Sequence, residues 1–431
     1  MAPATTVFDE RLPNLPKDVR APITSYTPSM WADAFTSFSL DDKVQKKYAE
    51  AIQELKQQSQ DKDQLDNYDL FATALQFRLL RQHHYSVSCN VFNKFKNDDS
   101  KFEETLTSDA KGLLSLYEAA NVRIHGEDVL EDAVAFTTRH LNRMVQELEP
   151  VLQCQVKRAL EQPVHRGVAR LEARHYISFY ERNESKNEIL LKLAKLDFNY
   201  LQNIYKKELH DLSRWDINEI DRLPDYMKII YKFILDLYED YEVEAAKQGK
   251  LFALPYAKEA TYAVVLGGQM PTYEEYLVNT VVTSCIYVFV TVGIPGLKSA
   301  SKESIDWLMS EPNKALIAST RVCRHADDIG SDERESRGGN IPTAVDCYAK
   351  QYGVSKEETV DKFNELFENA WKDFNTEWST EISTISKDMM EQLLNYARAA
   401  EVNYRNGRDA YANPQKIAGQ IAAVFMDPIV I

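Results

Sequence analysis

Apolar residues recur at helical spacing along most of this chain, while strand-like alternation is scarce. In DNYDLFATALQFRLLRQHHY, residues 66–85, Leu70, Ala74, Phe77 and Leu80 share one face and Arg78 and Arg81 fall elsewhere, which predicts an amphipathic helix. The stretch SDAKGLLSLYEAANV repeats the pattern with Leu113, Leu116, Tyr117 and Ala120, and Ser108 stands where an N-cap is expected. A third helix, with a wide buried face, is predicted over residues 187–212 from Leu190, Leu191, Leu193, Ala194, Phe198, Leu201 and Ile204. With only 14 Gly and 15 Pro to interrupt such segments, the predicted fold is all-α. The polar run Phe179 to Glu188 separates two helical blocks, so two helical domains are expected, residues 1–185 and 186–431. No repeat of fixed period supports a solenoid.

One run tests the reading. Leu277 to Leu297 carries no charge over a length that can cross a bilayer. It also contains Asn279, Thr280, Thr283, Ser284, Thr291, Gly293 and Pro295, and it stands alone, so a helix buried inside a large helical domain is expected and no membrane span.

Composition narrows the function. At 431 residues the chain can bury substantial cores. Its 51 Lys+Arg against 66 Asp+Glu give a net charge of -15, which disfavours binding along a nucleic-acid backbone. An anionic ligand would need bound metal or a few placed arginines. The five cysteines are scattered and never form C-x-x-C, so neither a zinc ribbon nor a disulfide frame fits. The opening MAPATTVFDERLPNLPKDVR has neither the apolar core of a signal peptide nor the acid-poor character of a transit peptide, and the expected compartment is the cytoplasm.

The chemistry concentrates in RHADDIGSDERE, Arg324 to Glu335. If this stretch is helical, Asp327, Ser331 and Glu335 follow one another with about 6 Å of rise and about 40° of drift per step, placing three oxygen ligands along one face. Mg²⁺ takes hard oxygens of this kind together with substrate phosphate oxygens. Arg324, one turn earlier, can fork onto a phosphate. The alternative is a solvated helix face laced with local ion pairs.

The run Asp327-Asp328-Ile329-Gly330-Ser331-Asp332-Glu333-Arg334-Glu335 resembles the second metal motif of plant terpene synthases, (N/D)-D-(L/I/V)-x-(S/T)-x-x-x-E. Further blocks are similar to that family in family order: RAPITSYTPSMWADAF, ALQFRLLRQHHYSVSCNVFNKF, ALEQPVHRGVARLEARHYISFY and RWDINEIDRLPDYMK. The likeness is greatest to the cytosolic sesquiterpene cyclases. It implies an N-terminal α-barrel-like domain without surviving chemistry and a C-terminal helical bundle around an apolar pocket. The implied reaction is Mg²⁺-dependent loss of diphosphate from farnesyl diphosphate followed by cyclisation of the carbocation, with Mn²⁺ as a substitute metal and a monomeric protein. By the same resemblance Asp327, Ser331 and Glu335 would bind metal and Arg324 would face the diphosphate. Tyr404, Asp409 and Tyr411 would line the pocket and handle protons, and Thr283, Ser284 and Cys285 would offer free carbonyls at a helix break.

The chain also departs from the family. The aspartate-rich DDxxD motif is absent from every position, and KELHDLSR runs directly into WDINEID at Arg214 and Trp215. Shorter gaps fall near Gln58 and Ser59 and near Ala260 and Thr261, and Ser336, Arg337, Gly338 and Gly339 leave a single cation where the family has a basic pair. The alternative expectation is therefore a truncated, catalytically inactive helical protein of the same family.

Overall fold

The computed structural model describes residues 69–213, 272–277, 302–308, 312–337, 343–380 and 387–431, with isolated positions between them. Arg214 and Trp215, Thr283, Cys285, the blocks RAPITSYTPSMWADAF and most of RWDINEIDRLPDYMK, and most of the uncharged run lie outside the described residues. Among the described residues there is no strand, only an isolated bridge between Lys96 and Phe102. None of the described helices is long and apolar enough to cross a membrane.

The N-terminal block is built from α1 (Leu70–Gln82), α2 (Ala110–Ala120), α3 (Asp128–Met144), α4 (Pro150–Glu161) and α5 (Ala169–Glu181). Leu70, Ala74 and Phe77 of α1 are buried with Leu113, Leu116 and Tyr117 of α2 and Leu130, Phe136 and Leu141 of α3. Two details differ from the sequence expectation. Arg81 is buried because its guanidinium forks onto both oxygens of Glu127 and reaches the carbonyls of Val87 and Val122, leaving little of its charge unpaired. The cap of α2 is Asp109, whose carboxylate accepts from the Gly112 amide at 2.8 Å, and Ser108 ends the preceding short 3₁₀ turn.

The polar run between α5 and α6 (Glu188–Ser213) is a turn. Along α6, Leu191, Leu196 and Phe198 are buried, whereas Leu190 is 46% exposed.

The C-terminal block contains α7 (Lys302–Leu308), α8 (Lys314–Arg337), α9 (Ala344–Tyr352), α10 (Lys356–Ser379), α11 (Lys387–Tyr404) and the short α12 (Ala418–Ile421). Capping boxes at Thr343 and Ser355 start α9 and α10, and Gly353, with φ of 66°, supplies the left-handed residue that ends α9. α8 packs against both α10 and α11. Leu316 and Val322 of α8 join Trp371 and Phe374 of α10 and Met389 and Leu393 of α11 in one apolar core. That core fixes the orientation of α8 and presents its acidic end in a constant direction.

The two blocks are joined by buried polar contacts on α10 and α11. Arg123 and Arg166 both reach Glu368, Asn375 donates to the Arg123 carbonyl at 2.9 Å, and Trp378 donates its indole N–H to the Arg81 carbonyl at 3.1 Å.

Candidate metal and diphosphate site

Residues 323–335 are helical throughout, as α8. Asp327, Ser331 and Glu335 therefore rise on successive turns of one rod, which is the arrangement their spacing predicts. Ser331 is fully buried, and its hydroxyl lies close enough to Glu335 to favour that carboxylate but makes no well-formed hydrogen bond. Asp327 and Glu335 are partly buried, with 17% and 22% of their side chains exposed.

The electrostatics follow from crowding acids in a half-dry place. Burial pushes the Asp327 carboxyl above the ordinary range, against the pull of Arg324 and of a hydrogen bond from Tyr404. Glu335 is raised by burial first and by the charge of Asp327 second. Two acids pushed upward, Glu335 in part by the charge of Asp327, and a buried hydroxyl without a well-formed hydrogen bond make an oxygen set short of positive charge, of the kind a hard divalent cation would suit. Among the described residues no three His, Cys, Asp or Glu side chains gather as a metal set, so a set on this face would need the Ser331 oxygen.

Arg324 donates from Nη1 to Asp327 at 2.6 Å and from Nη2 to the Tyr276 hydroxyl at 3.0 Å, and Nη2 also contacts Asp328. Asp328 is wholly buried and accepts from the Tyr276 hydroxyl at 3.0 Å. Burial drives its carboxyl up to about 7 even with Arg324 beside it.

The chain beyond α11 returns over this face. Tyr404 closes α11, and Asn406 and Gly407, with φ of 59° and 67°, turn the backbone back. Asp409 is buried and accepts from Arg334 Nε at 2.7 Å and from the Ala412 amide at 2.9 Å. The return is close enough that a Cβ on Gly330 would meet the Arg408 carbonyl oxygen at 2.4 Å. Burial and the Asp327 charge both raise the Tyr404 phenol, so it keeps its proton.

The structure thus brings Arg324, Asp327, Ser331, Glu335, Tyr404 and Asp409 into one neighbourhood. It leaves Tyr411 out: that residue is 82% exposed, two residues past the buried Asp409. Ser284 also differs from expectation. Its carbonyl is not free, because the Tyr396 hydroxyl donates to it at 2.9 Å. The sequence reading missed Tyr276, Gly330 and the roles of Asp328 and Arg334. The paired acids of the motif could have flagged Asp328, whereas Tyr276 sits some fifty residues away without a motif.

Residues 21–160 match the family model of the terpene synthase N-terminal domain, and residues 207–373 match that of the terpene synthase family metal binding domain. A gamma-cadinene synthase from Ocimum basilicum is 40% identical, covering 96% of this chain and 99% of its own length. A gamma-curcumene synthase from Pogostemon cablin is 36% identical over 96% of this chain and 98% of its own. The first of these alignments runs over 541 positions against a chain of 431 residues, so the relative holds stretches that this chain lacks. Among solved structures, isoprene synthase from grey poplar, Populus x canescens, in complex with three Mg²⁺ ions and dimethylallyl-S-thiolodiphosphate, superposes with a TM-score of 0.67 at 25% identity, covering 93% of this chain and 88% of that one.

Proposed function

From the premise that this chain belongs to the terpene synthase family, we propose that it is a Mg²⁺-dependent sesquiterpene synthase, a carbon–oxygen lyase that ionises farnesyl diphosphate and cyclises the cation. The observation that carries the site assignment is the buried Ser331 hydroxyl, beside Glu335 but without a well-formed hydrogen bond, one helical turn from each of Asp327 and Glu335. Magnesium bound by these oxygens would supply Lewis-acid stabilisation of the charge that builds on the departing diphosphate.

The chain's own side chains do the rest. Arg324, paired with Asp327 on a helix held by the C-terminal core, is the guanidinium that would meet the anion. Tyr404, protonated and bonded to Asp327, holds a proton at its hydroxyl at the edge of the site, and Asp409 lies next along the returning chain, fixed by Arg334. Ser284 and Thr283 belong to the proposal as neighbours of the hydrocarbon, with Tyr411 in a lesser place because of its exposure. Mn²⁺ substitutes for Mg²⁺ in this reading, the protein acts as a monomer in the cytoplasm, and the two domains divide near residue 186.

The test is incubation of the purified chain with farnesyl diphosphate and Mg²⁺, read by gas chromatography of the volatile products. Cyclic hydrocarbons that vanish with a chelator support the reading. A folded chain that releases none is instead the inactive, shortened relative that the absent DDxxD motif suggests.

A further inference from the structure

Asp328 is a costly residue to place where it is. Its carboxylate is fully buried, and transfer of such a group out of water is unfavourable unless partners compensate. It has two partners. Arg324 contacts it across one helical turn, and the Tyr276 hydroxyl, brought in by the helical residues 273–277, donates to the same oxygen at 3.0 Å. Tyr276 in turn accepts from Arg324 Nη2 at 3.0 Å, so arginine, phenol and carboxylate close a triangle. The other amino group of that guanidinium, Nη1, goes to Asp327 at 2.6 Å. Arg324 Nε and Asp328 Oδ2 are buried with no partner.

We propose that Asp328 and Tyr276 form a clamp that holds Nη2 of Arg324, so that when metal claims Asp327 the guanidinium stays in place and turns its released Nη1 toward the diphosphate. Asp328 is then a positioning residue. It works by denying Arg324 the alternative of following Asp327 with its whole fork. The proposal rests on the metal and diphosphate reading above and deepens it, because it separates the two adjacent acids of the motif into one that meets metal and one that anchors the arginine.

A double-mutant cycle tests it. Binding of inorganic diphosphate in the presence of Mg²⁺ is measured by calorimetry for the parent, Asp328→Asn, Arg324→Gln and the double variant. Asp328→Asn, which keeps the side-chain volume, is expected to weaken diphosphate binding roughly 10- to 100-fold, the loss typical of a residue that orients a ligand-binding group. Tyr276→Phe shows a smaller loss of the same kind. In the Arg324→Gln background Asp328→Asn adds no more than about twofold, because the group it positions is gone. An Asp328→Asn effect of equal size in both backgrounds, or none in the parent, overturns the proposal. The same cycle is read without ligand by thermal denaturation, where non-additivity between Asp328 and Arg324 is again expected and additivity counts against the clamp. A parent that binds no diphosphate refutes the functional reading, while the ligand-free cycle still decides whether Asp328 anchors Arg324.

Discussion

Among the described residues, the ion cluster where the blocks meet and the one on α8 are finished to different degrees. Where the blocks meet, Glu368 accepts from Arg166 at 2.6 and 2.8 Å and from Arg123 at 2.9 Å, while Arg123 also donates to Glu131 at 3.0 Å and Lys372 pairs with Glu131. Burial alone would raise the Glu368 carboxyl, but the two guanidinium groups win and hold it at about 2. On α8 the balance is reversed. Arg324 and the half-exposed Arg334 face Asp327, Asp328, Glu335 and Asp409, and the first three of these acids are all pushed upward. A closed cluster cements a fold, whereas a cluster short of cations is built to receive one.

Breaking each cluster should therefore have opposite consequences. The largest effect is expected from Asp327→Ala: Mg²⁺-dependent diphosphate binding falls about 100-fold or more, beyond the loss typical of outer-shell partners, while the melting temperature holds or rises. Calorimetry and thermal denaturation on one preparation check both halves. Glu368→Gln does the reverse, leaving the buried Arg166 without its carboxylate and Arg123 with Glu131 alone. About 2 kcal/mol of stability should be lost, below the range for a fully buried pair because Glu368 keeps 38% of its side chain exposed. Denaturant unfolding measures this.

A third prediction sets Glu368 against Glu118, a buried acid of α2 that accepts from the Val164 amide and whose carboxyl burial raises to about 7 from an ordinary 4.5. The folded state holds the Glu118 proton between about pH 4.5 and 7 and the unfolded state does not, so its contribution to stability declines as pH rises through that window. Glu368 is depressed, so its contribution is present above about pH 4.5 and is lost as pH falls toward 2. Unfolding free energy measured against pH should lose the first slope in Glu118→Gln and the second in Glu368→Gln. The smallest effect is expected from Ser331→Ala, which removes a buried hydroxyl that makes no well-formed hydrogen bond and should raise stability by up to about 1 kcal/mol while weakening Mg²⁺ binding. A hydroxyl that serves only the fold would instead give a loss of stability and unchanged metal affinity.

The sequence was most informative where one segment decides the outcome. α1, α2 and α6 lie close to their predicted spans, because a single apolar face specifies a helix. The co-facial placement of Asp327, Ser331 and Glu335 follows from helical spacing alone. Predictions failed where a distant segment supplies the partner. Arg81 is buried by Glu127, 46 residues on, and the Ser284 carbonyl is occupied by Tyr396, 112 residues on. Tyr411 shows the same limit in a loop, since it is exposed although Asp409, two residues earlier, is buried. Gly330 reads as an unremarkable position in a motif until the Arg408 carbonyl is found against it.

Helix α10 carries a practical consequence for anyone wishing to trim this protein to its C-terminal half. One of its sides braces α8, and the other offers Glu368, Asn375 and the Trp378 indole to the N-terminal helices. Excising those helices would strip the side chains of their counterparts and wet a surface evolved to stay dry, so a stand-alone catalytic fragment would have to be resurfaced along α10 before it could be expected to remain soluble.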